Sequence, residues 1–372
     1  MPPNTSHELT PPVPPPPLRL VFWETTVGCN LECVHCRRLE VSTELARSDM
    51  TTQEGRRLID QIAEVGRPIL VFSGGEPLMR PDLFELAAHA KAHDLPIALA
   101  SNGTLIGPAL AARIASTGFH RVSVSLDGAD AETHDRFRRQ EGSFDAATAA
   151  LRSLGAAGVA TQINCTIARH NEGQLAAVLK LGESLGVTAV HYFLLVPVGC
   201  GEQIADDQML SAGQIEARLV ELYELARETA LEIKATCAPH YYRIARQRDA
   251  RRGPGEPPAQ TRVPGQRPRS TKGCLAGSAV CFVSHQGEVF PCGYLPVSAG
   301  SVRRESFADI WRGGRVFLEL RRSDLLKGKC GACEFRTVCS GCRARAFYQY
   351  GDYLEEEPYC AYEPKRPGDA SR

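Results

Sequence analysis

What most constrains this chain is where its fourteen cysteines fall among 372 residues. Three stand together at Cys29, Cys33 and Cys36. Eight more lie at Cys274, Cys281, Cys292, Cys330, Cys333, Cys339, Cys342 and Cys360. A disulfide-built secreted protein is short and evenly Cys-rich. Here the thiols are bunched near the two ends of a long chain. In a reducing compartment that pattern reads as metal or cluster ligands. Cys165, Cys200 and Cys237 stand outside both groups and read as buried, inert thiols.

Charge excludes some classes. Lys+Arg and Asp+Glu are 43 each, so the net charge is zero. That gives no electrostatic footprint for nucleic acid or an anionic membrane. No run of 18 apolar residues suggests a membrane span, and the N-terminus shows no basic-then-apolar signal segment. A cytoplasmic protein is expected. Residues 1–18, with Pro11, Pro12 and Pro14 to Pro17, predict an extended, disordered tail.

From residue 19 the hydrophobic pattern alternates between strand and helix. Strands are predicted at 19–26, 68–72, 96–100, 121–126, 159–167 and 188–196. Helices are predicted at 52–66, 82–92, 108–117, 144–157, 171–185 and 214–230. The strands read as apolar on both faces, as parallel strands under helices should be. Six β/α units fall short of a closed eight-unit barrel. The expected architecture is therefore α/β: a partial (β/α)6 TIM-like barrel over 19–245, with its site at the strand C-termini. Residues 246–272, rich in Arg, Pro and Gly, read as a linker. Residues 273–362 are Cys-rich with little periodicity, so their fold is expected to hang on metal, and 363–372 form a tail.

Cys29-x3-Cys33-x2-Cys36 follows directly on the first strand. Three thiolates on a four-iron cluster leave one iron open for a small molecule. Structural zinc would want four closed ligands, and His35, between two cysteines, has poor reach as a fourth. Ser73-Gly74-Gly75-Glu76-Pro77 closes the second strand. Its paired glycines let backbone approach a ligand closely, and Glu76 can accept from an ammonium. Ser101-Asn102-Gly103, Ser125-Leu126-Asp127 and Asn164 fall at the ends of later strands, where polar side chains share one mouth.

Together the triplet and the GGEP segment resemble the radical S-adenosylmethionine (radical SAM) enzymes. The resemblance implies a [4Fe-4S] cluster on Cys29, Cys33 and Cys36 whose open iron takes the methionyl amine and carboxylate of SAM. It implies SAM contacts from Gly74, Gly75, Glu76 and Pro77, and from Ser125 and Asn164. The later cysteines resemble the SPASM auxiliary iron–sulfur domain, with one or two auxiliary [4Fe-4S] clusters. By that resemblance Cys274, Cys281, Cys292 and Cys342 would hold one, and Cys330, Cys333, Cys339 and Cys360 the other. The family more often has three residues between the last two central cysteines, whereas here only Ser340 and Gly341 intervene. Two four-cysteine zinc sites would explain the count as well.

Trp23-Glu-Thr-Thr26, Lys234 to Ile244, Pro291 to Leu295, Gly341 to Ala346 and Glu357 to Cys360 resemble the siroheme-dependent heme and heme d1 branch. The resemblance implies oxidative decarboxylation of two propionates of iron-coproporphyrin III to vinyls, giving heme b. It also implies an external electron donor such as flavodoxin or ferredoxin. Didecarboxysiroheme deacetylation, heme d1 maturation and peptide modification are the alternatives. Only 28 residues precede Cys29, which argues against a peptide-recognition domain. For the tetrapyrrole, His240, Tyr241, Tyr242 and Arg243 offer aromatic walls and a cation at the edge.

Overall fold

The computed structural model describes residues 15–38, 45–251 and 272–365. Most of the proline-rich start, most of the 246–272 segment and residues 366–372 therefore lie outside the described residues. Ten strands form one sheet, in the order β10-β9-β8-β1-β2-β3-β4-β5-β6-β7. They are β1 Leu20–Thr26, β2 Ile69–Gly74, β3 Ile97–Ser101, β4 Arg121–Ser125, β5 Thr161–Ile167, β6 Ala189–Leu194, β7 Glu232–Thr236, β8 Val280–Val283, β9 Glu288–Phe290 and β10 Gly300–Ser301. The first seven run parallel in sequence order. Helices α1 (Thr52–Val65), α2 (Leu83–Ala92), α3 (Pro108–Thr117), α4 (Ala131–Arg138), α5 (Ser143–Ala156) and α6 (Leu175–Ser184) cross between them, followed by the helix Ala212–Glu228.

Local sequence explains the helix starts. Thr51 and Glu54 close a capping box on α1, and Ser211 and Gln214 do the same before the helix Ala212–Glu228. Each satisfies backbone donors that the first turn leaves open. Gly55 of α1 is fixed by packing: a Cβ there would lie 2.7 Å from the Trp23 ring.

Strands β1–β3 are apolar on both faces, as the sequence suggests, with Leu70, Val71 and Phe72 buried in succession, whereas β4–β7 are not. Val122, Val124, Ile163, Cys165, Ile167, Val190, Tyr192, Ile233 and Ala235 enter the core under the helices. The residues between them are polar: Ser123, Ser125, Gln162, Asn164, His191, Glu232 and Lys234. Arg121 on β4 donates to Gln162 Oε1 (3.2 Å) and to Glu232 Oε2 on β7 (3.0 Å). On a flat sheet β4 and β7 would stand about 14 Å apart. Direct bonding across that interval means the sheet curls, with the polar residues on its concave side. A closed TIM barrel fills this interior with branched apolar side chains. Here it is a polar lumen.

Two further elements differ from the sequence-based expectation. Strand β7 was not anticipated, because its lumen-facing Glu232, Lys234 and Thr236 dilute the apolar signal. The helix His240–Ala250 follows it, so residues 246–250 are helical and the linker begins later. The Cys-rich region also joins the barrel sheet: β8 pairs with β1 in parallel, Val21 opposite Cys281. The region is not held by metal alone. Phe307, Ile310, Trp311, Val316 and Phe317 are buried in the same core as the barrel. Arg321 stacks on Trp311 at 4.5 Å and donates to its carbonyl at 2.6 Å. Trp311→Ala should therefore cost about 3–5 kcal/mol in anaerobic chemical unfolding with the clusters in place. An unchanged unfolding midpoint would mean that metal carries this region.

Candidate active site

The three thiols of the first group converge in the loop after β1. Burial raises the Cys29 thiol to about 11, eased by the Leu31 N–H and increased by Glu76, Cys33 and Cys36. Cys33 and Cys36 are also raised by burial, with Cys36 adding to the rise of Cys33 and Cys200 to that of Cys36. Thiolates crowded into such a place need a cation among them, which fits an iron cluster. Donors to sulfur are in place: Leu31 N–H at 3.4 Å from Cys29 Sγ, and Arg138 Nη1 at 3.6 Å from Cys33 Sγ.

Glycines hold the second segment against this loop. A Cβ on Gly75 would meet the Gly28 carbonyl at 2.2 Å, and one on Gly74 (φ +155°) the Thr26 carbonyl at 2.4 Å. Gly75 N–H donates to Thr26 O and Glu76 N–H to Gly28 O, both 2.8 Å. Only glycine permits this approach. Glu76, which the sequence offers as an acceptor for an ammonium, is engaged within the protein, with Oε2 taking only the Asn102 N–H among the described residues. It is fully buried and accepts from Ser101 Oγ (2.9 Å), Asn102 N–H (2.8 Å) and Leu78 N–H (3.2 Å). Burial nevertheless raises its carboxyl to about 7 against those donors. Its role is to tie the ends of β2 and β3 together, with Pro77 buried behind it. Asn102 in turn donates to Asn30 in the cysteine loop (2.9 Å).

Asp127 also proves internal rather than part of the mouth. It accepts from Thr166 N–H (2.7 Å) and pairs with Arg138 Nη2 (2.5 Å). Burial pushes its carboxyl up, but Arg138, His35 and His134 outweigh that and hold it at about 2. Arg138 ends α4, a helix the sequence reading missed because it is mostly charged. His35 stacks on Phe137 (4.1 Å) and burial lowers it to about 3, so it stays neutral. Ser125 and Asn164 stand in register on β4 and β5. The row continues across the sheet through His191 to Lys234, two lumen residues that sequence reasoning passed over.

The later cysteines form two gatherings, and one differs from the expected set. Cys330, Cys333, Cys339 and Cys360 line one small cavity. Cys330 Sγ receives the Glu357 N–H at 3.3 Å. The other gathering comprises Cys274, Cys292, Cys342 and Cys237. Burial raises the Cys237 thiol, and Cys342, Cys292 and Cys274 raise it further. Cys281 is not among them. It lies in β8 with 0% exposure, and its only charged neighbour is Arg321. The structure thus brings Cys237, rather than the expected Cys281, beside Cys274, Cys292 and Cys342. Cys237 holds a left-handed backbone (φ +53°) at the end of β7, and its carbonyl accepts from Arg345 Nη2 (2.7 Å). Arg345 is also paired with Glu357, which accepts from Cys342 N–H (2.7 Å). The short Ser340-Gly341 spacer is accommodated by two left-handed residues, φ +65° and +62°. That turn sends Cys339 to one gathering and Cys342 to the other.

The two remaining outliers stay outside both gatherings. Cys165 is core, and the Cys200 thiol donates to the Arg38 carbonyl (2.9 Å). Tyr294 joins the regions: it is half-buried within electrostatic reach of Cys237 and Cys292 and, on the barrel side, of Arg37 and Asp127, and burial raises its hydroxyl.

The 240–243 segment does not line the lumen. His240 and Arg243 line the cavity of Cys330, Cys333, Cys339 and Cys360. Arg243 is occupied by Glu216 (2.5 Å) and Gln247 (2.8 Å). Tyr241 is in the core and Tyr242 is packed against it. His240 is neutral, lowered by burial to about 4, and its nearest carboxylate is Glu357 at 3.9 Å.

A partial parallel barrel with an open thiol triplet at its mouth and an auxiliary cysteine domain defines a radical SAM enzyme. Residues 23–182 match the radical SAM superfamily, and residues 274–343 match the SPASM iron–sulfur cluster-binding domain. The chain belongs to the radical SAM superfamily, in its SPASM-bearing branch, and takes a [4Fe-4S] cluster with SAM and auxiliary iron–sulfur clusters. It is 46% identical to the AdoMet-dependent heme synthase of Methanosarcina barkeri, over 93% of this chain and 97% of that protein. It is 43% identical to the AdoMet-dependent heme synthase of Nitratidesulfovibrio vulgaris, over 94% of each. In fold it is similar to Streptococcus suis SuiB bound to precursor peptide SuiA (TM-score 0.71, 16% identity, 93% of this chain and 76% of that one). Among the described residues no helix is long and apolar enough to cross a membrane.

Proposed function

We propose that this protein is a heme synthase that converts two propionates of iron-coproporphyrin III to vinyls, giving heme b. The observation that carries this reading is the 46% identity to a heme synthase along 93% of the chain. With a cluster and SAM bound, one-electron cleavage of the sulfonium would supply a 5′-deoxyadenosyl radical. The propionate then loses a hydrogen atom from its ring-side carbon to that radical. Carbon dioxide and one electron leave, and the vinyl double bond remains. Two rounds consume two SAM molecules.

The chain's own groups divide the work. Cys29, Cys33 and Cys36 hold the SAM-binding cluster, and Gly74 and Gly75 give SAM a backbone cradle. Ser125 and Asn164 face the lumen where the rest of SAM would lie. Cys237, Cys274, Cys292 and Cys342 hold one auxiliary cluster, and Cys330, Cys333, Cys339 and Cys360 the other. The first auxiliary site shares Tyr294 with the barrel mouth, which suits an acceptor for the surplus electron. An external flavodoxin or ferredoxin would reduce the SAM-binding cluster.

Anaerobic incubation of the reconstituted protein with SAM, a reductant and iron-coproporphyrin III tests this by mass. Two successive losses of one carbon dioxide and two hydrogens are expected, ending at heme b. Acetate released from didecarboxysiroheme instead would overturn the reading in favour of deacetylation.

A further inference from the structure

We propose that Lys234, with Thr236 above it, is the lumen subsite that grips a carboxylate of the tetrapyrrole substrate. This rests on the tetrapyrrole reading and names the residue that recognises its propionate. Lys234 and Thr236 lie two apart on β7, and Ile233 and Ala235 between and before them enter the core under the helices. Both polar side chains therefore face the concave side. The register runs Ser125, Asn164, His191, Lys234 across β4 to β7 at one level. Three members of this row are neutral, His191 because burial lowers it to about 4. Lys234 is the cation at its end.

The neighbours of Lys234 leave its ammonium unspent. The charged groups facing it are Glu232, Arg121 and the Cys237 thiol. Glu232 already accepts from Arg121 (3.0 Å) and faces His191 Nε2 at 3.4 Å. Lys234 is half-buried and enters none of the hydrogen bonds or ion pairs among the described residues, and the buried Thr236 hydroxyl has no partner there either. A lysine drawn into a low-dielectric lumen is costly unless an anion meets it. A carboxylate entering there would take a charge-assisted bond from the ammonium and a second from the hydroxyl. Glu232, the one carboxylate facing Lys234 among the described residues, is already engaged by Arg121, which leaves this place to a carboxylate of the ligand.

Position favours the porphyrin over SAM as its source. Cys237 follows Thr236 directly, so the subsite abuts the auxiliary gathering. Along the row Lys234 stands two strands beyond Asn164, past the residues assigned to SAM. A propionate held beneath Cys237 would orient the disc with its rim in the lumen and its reacting edge toward the barrel mouth.

The test is anaerobic absorbance titration of the reconstituted protein with iron-coproporphyrin III, beside equilibrium dialysis with SAM. Lys234→Met should weaken porphyrin binding by about ten- to hundredfold, the worth of one charge-assisted hydrogen bond. Lys234→Arg should restore part of it, and Thr236→Val should weaken it less. SAM affinity should stay at the wild-type level. Iron content reports whether each variant is folded; should the methionine variant lose iron, the Arg and Val variants carry the comparison. Unchanged porphyrin binding in folded variants overturns the subsite while leaving the enzyme reading intact. Lost SAM binding with porphyrin binding kept assigns the lysine to SAM and also overturns it. A wild-type protein that binds no porphyrin overturns both.

Discussion

Replacing Cys29, Cys33 and Cys36 together by alanine should abolish cleavage of SAM to 5′-deoxyadenosine and lower bound iron from about twelve to about eight per chain. The effect is all-or-none because nothing else near the barrel mouth offers a thiolate. Cys200 is the one other cysteine close by. Its thiol is turned to the Arg38 carbonyl, and its backbone N–H donates to Cys36 O at 2.8 Å. It steadies the loop and cannot replace a ligand without unmaking it. The eight remaining irons should stay, since both other gatherings are built from β7 onward and share no cysteine with the triplet. Deoxyadenosine formed at the wild-type rate by the triple variant would remove the triplet from the chemistry.

Much of the scaffold was legible because parallel β/α units repeat one signal. Each core-facing strand face is apolar, and each helix carries a stripe over it, as Leu58, Ile59 and Ile62 do on α1. What escaped did so for a single physical reason: polarity facing inward. Strand β7 reads Glu-Ile-Lys-Ala-Thr, and its alternation is too short and too charged to announce a strand. Helix α4 has mostly polar residues yet buries Phe137 and Arg138 against the cysteine loop. The lumen row through His191 and Lys234 was invisible for the same reason, since register across strands is not written in any one strand. The motifs behaved differently. Cysteine spacing singled out the triplet, and the resemblance to the SPASM domain grouped Cys330, Cys333, Cys339 and Cys360, which line one pocket. For the other set the resemblance implied Cys281, whereas the fold places Cys237, from the end of β7, beside Cys274, Cys292 and Cys342. Strand pairing with β1 turns the Cys281 thiol into the core instead.

Cys237→Ser and Cys281→Ser should therefore have opposite outcomes on iron. The Cys237 variant should lose up to about four irons together with the low-temperature electron paramagnetic resonance signal of one reduced auxiliary cluster. The Cys281 variant should keep all its iron and that signal. The reasoning is electrostatic as well as geometric. Cys237, Cys274, Cys292 and Cys342 form one mutually repelling set. Burial lifts the Cys292 thiol to about 12, with Cys274 and Cys342 adding to it. Four thiolates crowded together would be a poor apo arrangement and are a good cluster cradle, because the iron supplies the missing positive charge. Backbone donors already point at the sulfurs: Tyr294 and Leu295 at Cys292, and Arg345 at Cys342. Cys281 sits among Val21, Val283 and the apolar side chains of the adjoining helices, where serine would bury an unpaired hydroxyl. Its loss should appear as about 1–3 kcal/mol of stability, not as missing iron. Iron lost from the serine variant at 281, with full iron retained at 237, would restore the resemblance-based assignment and refute the one drawn from the fold.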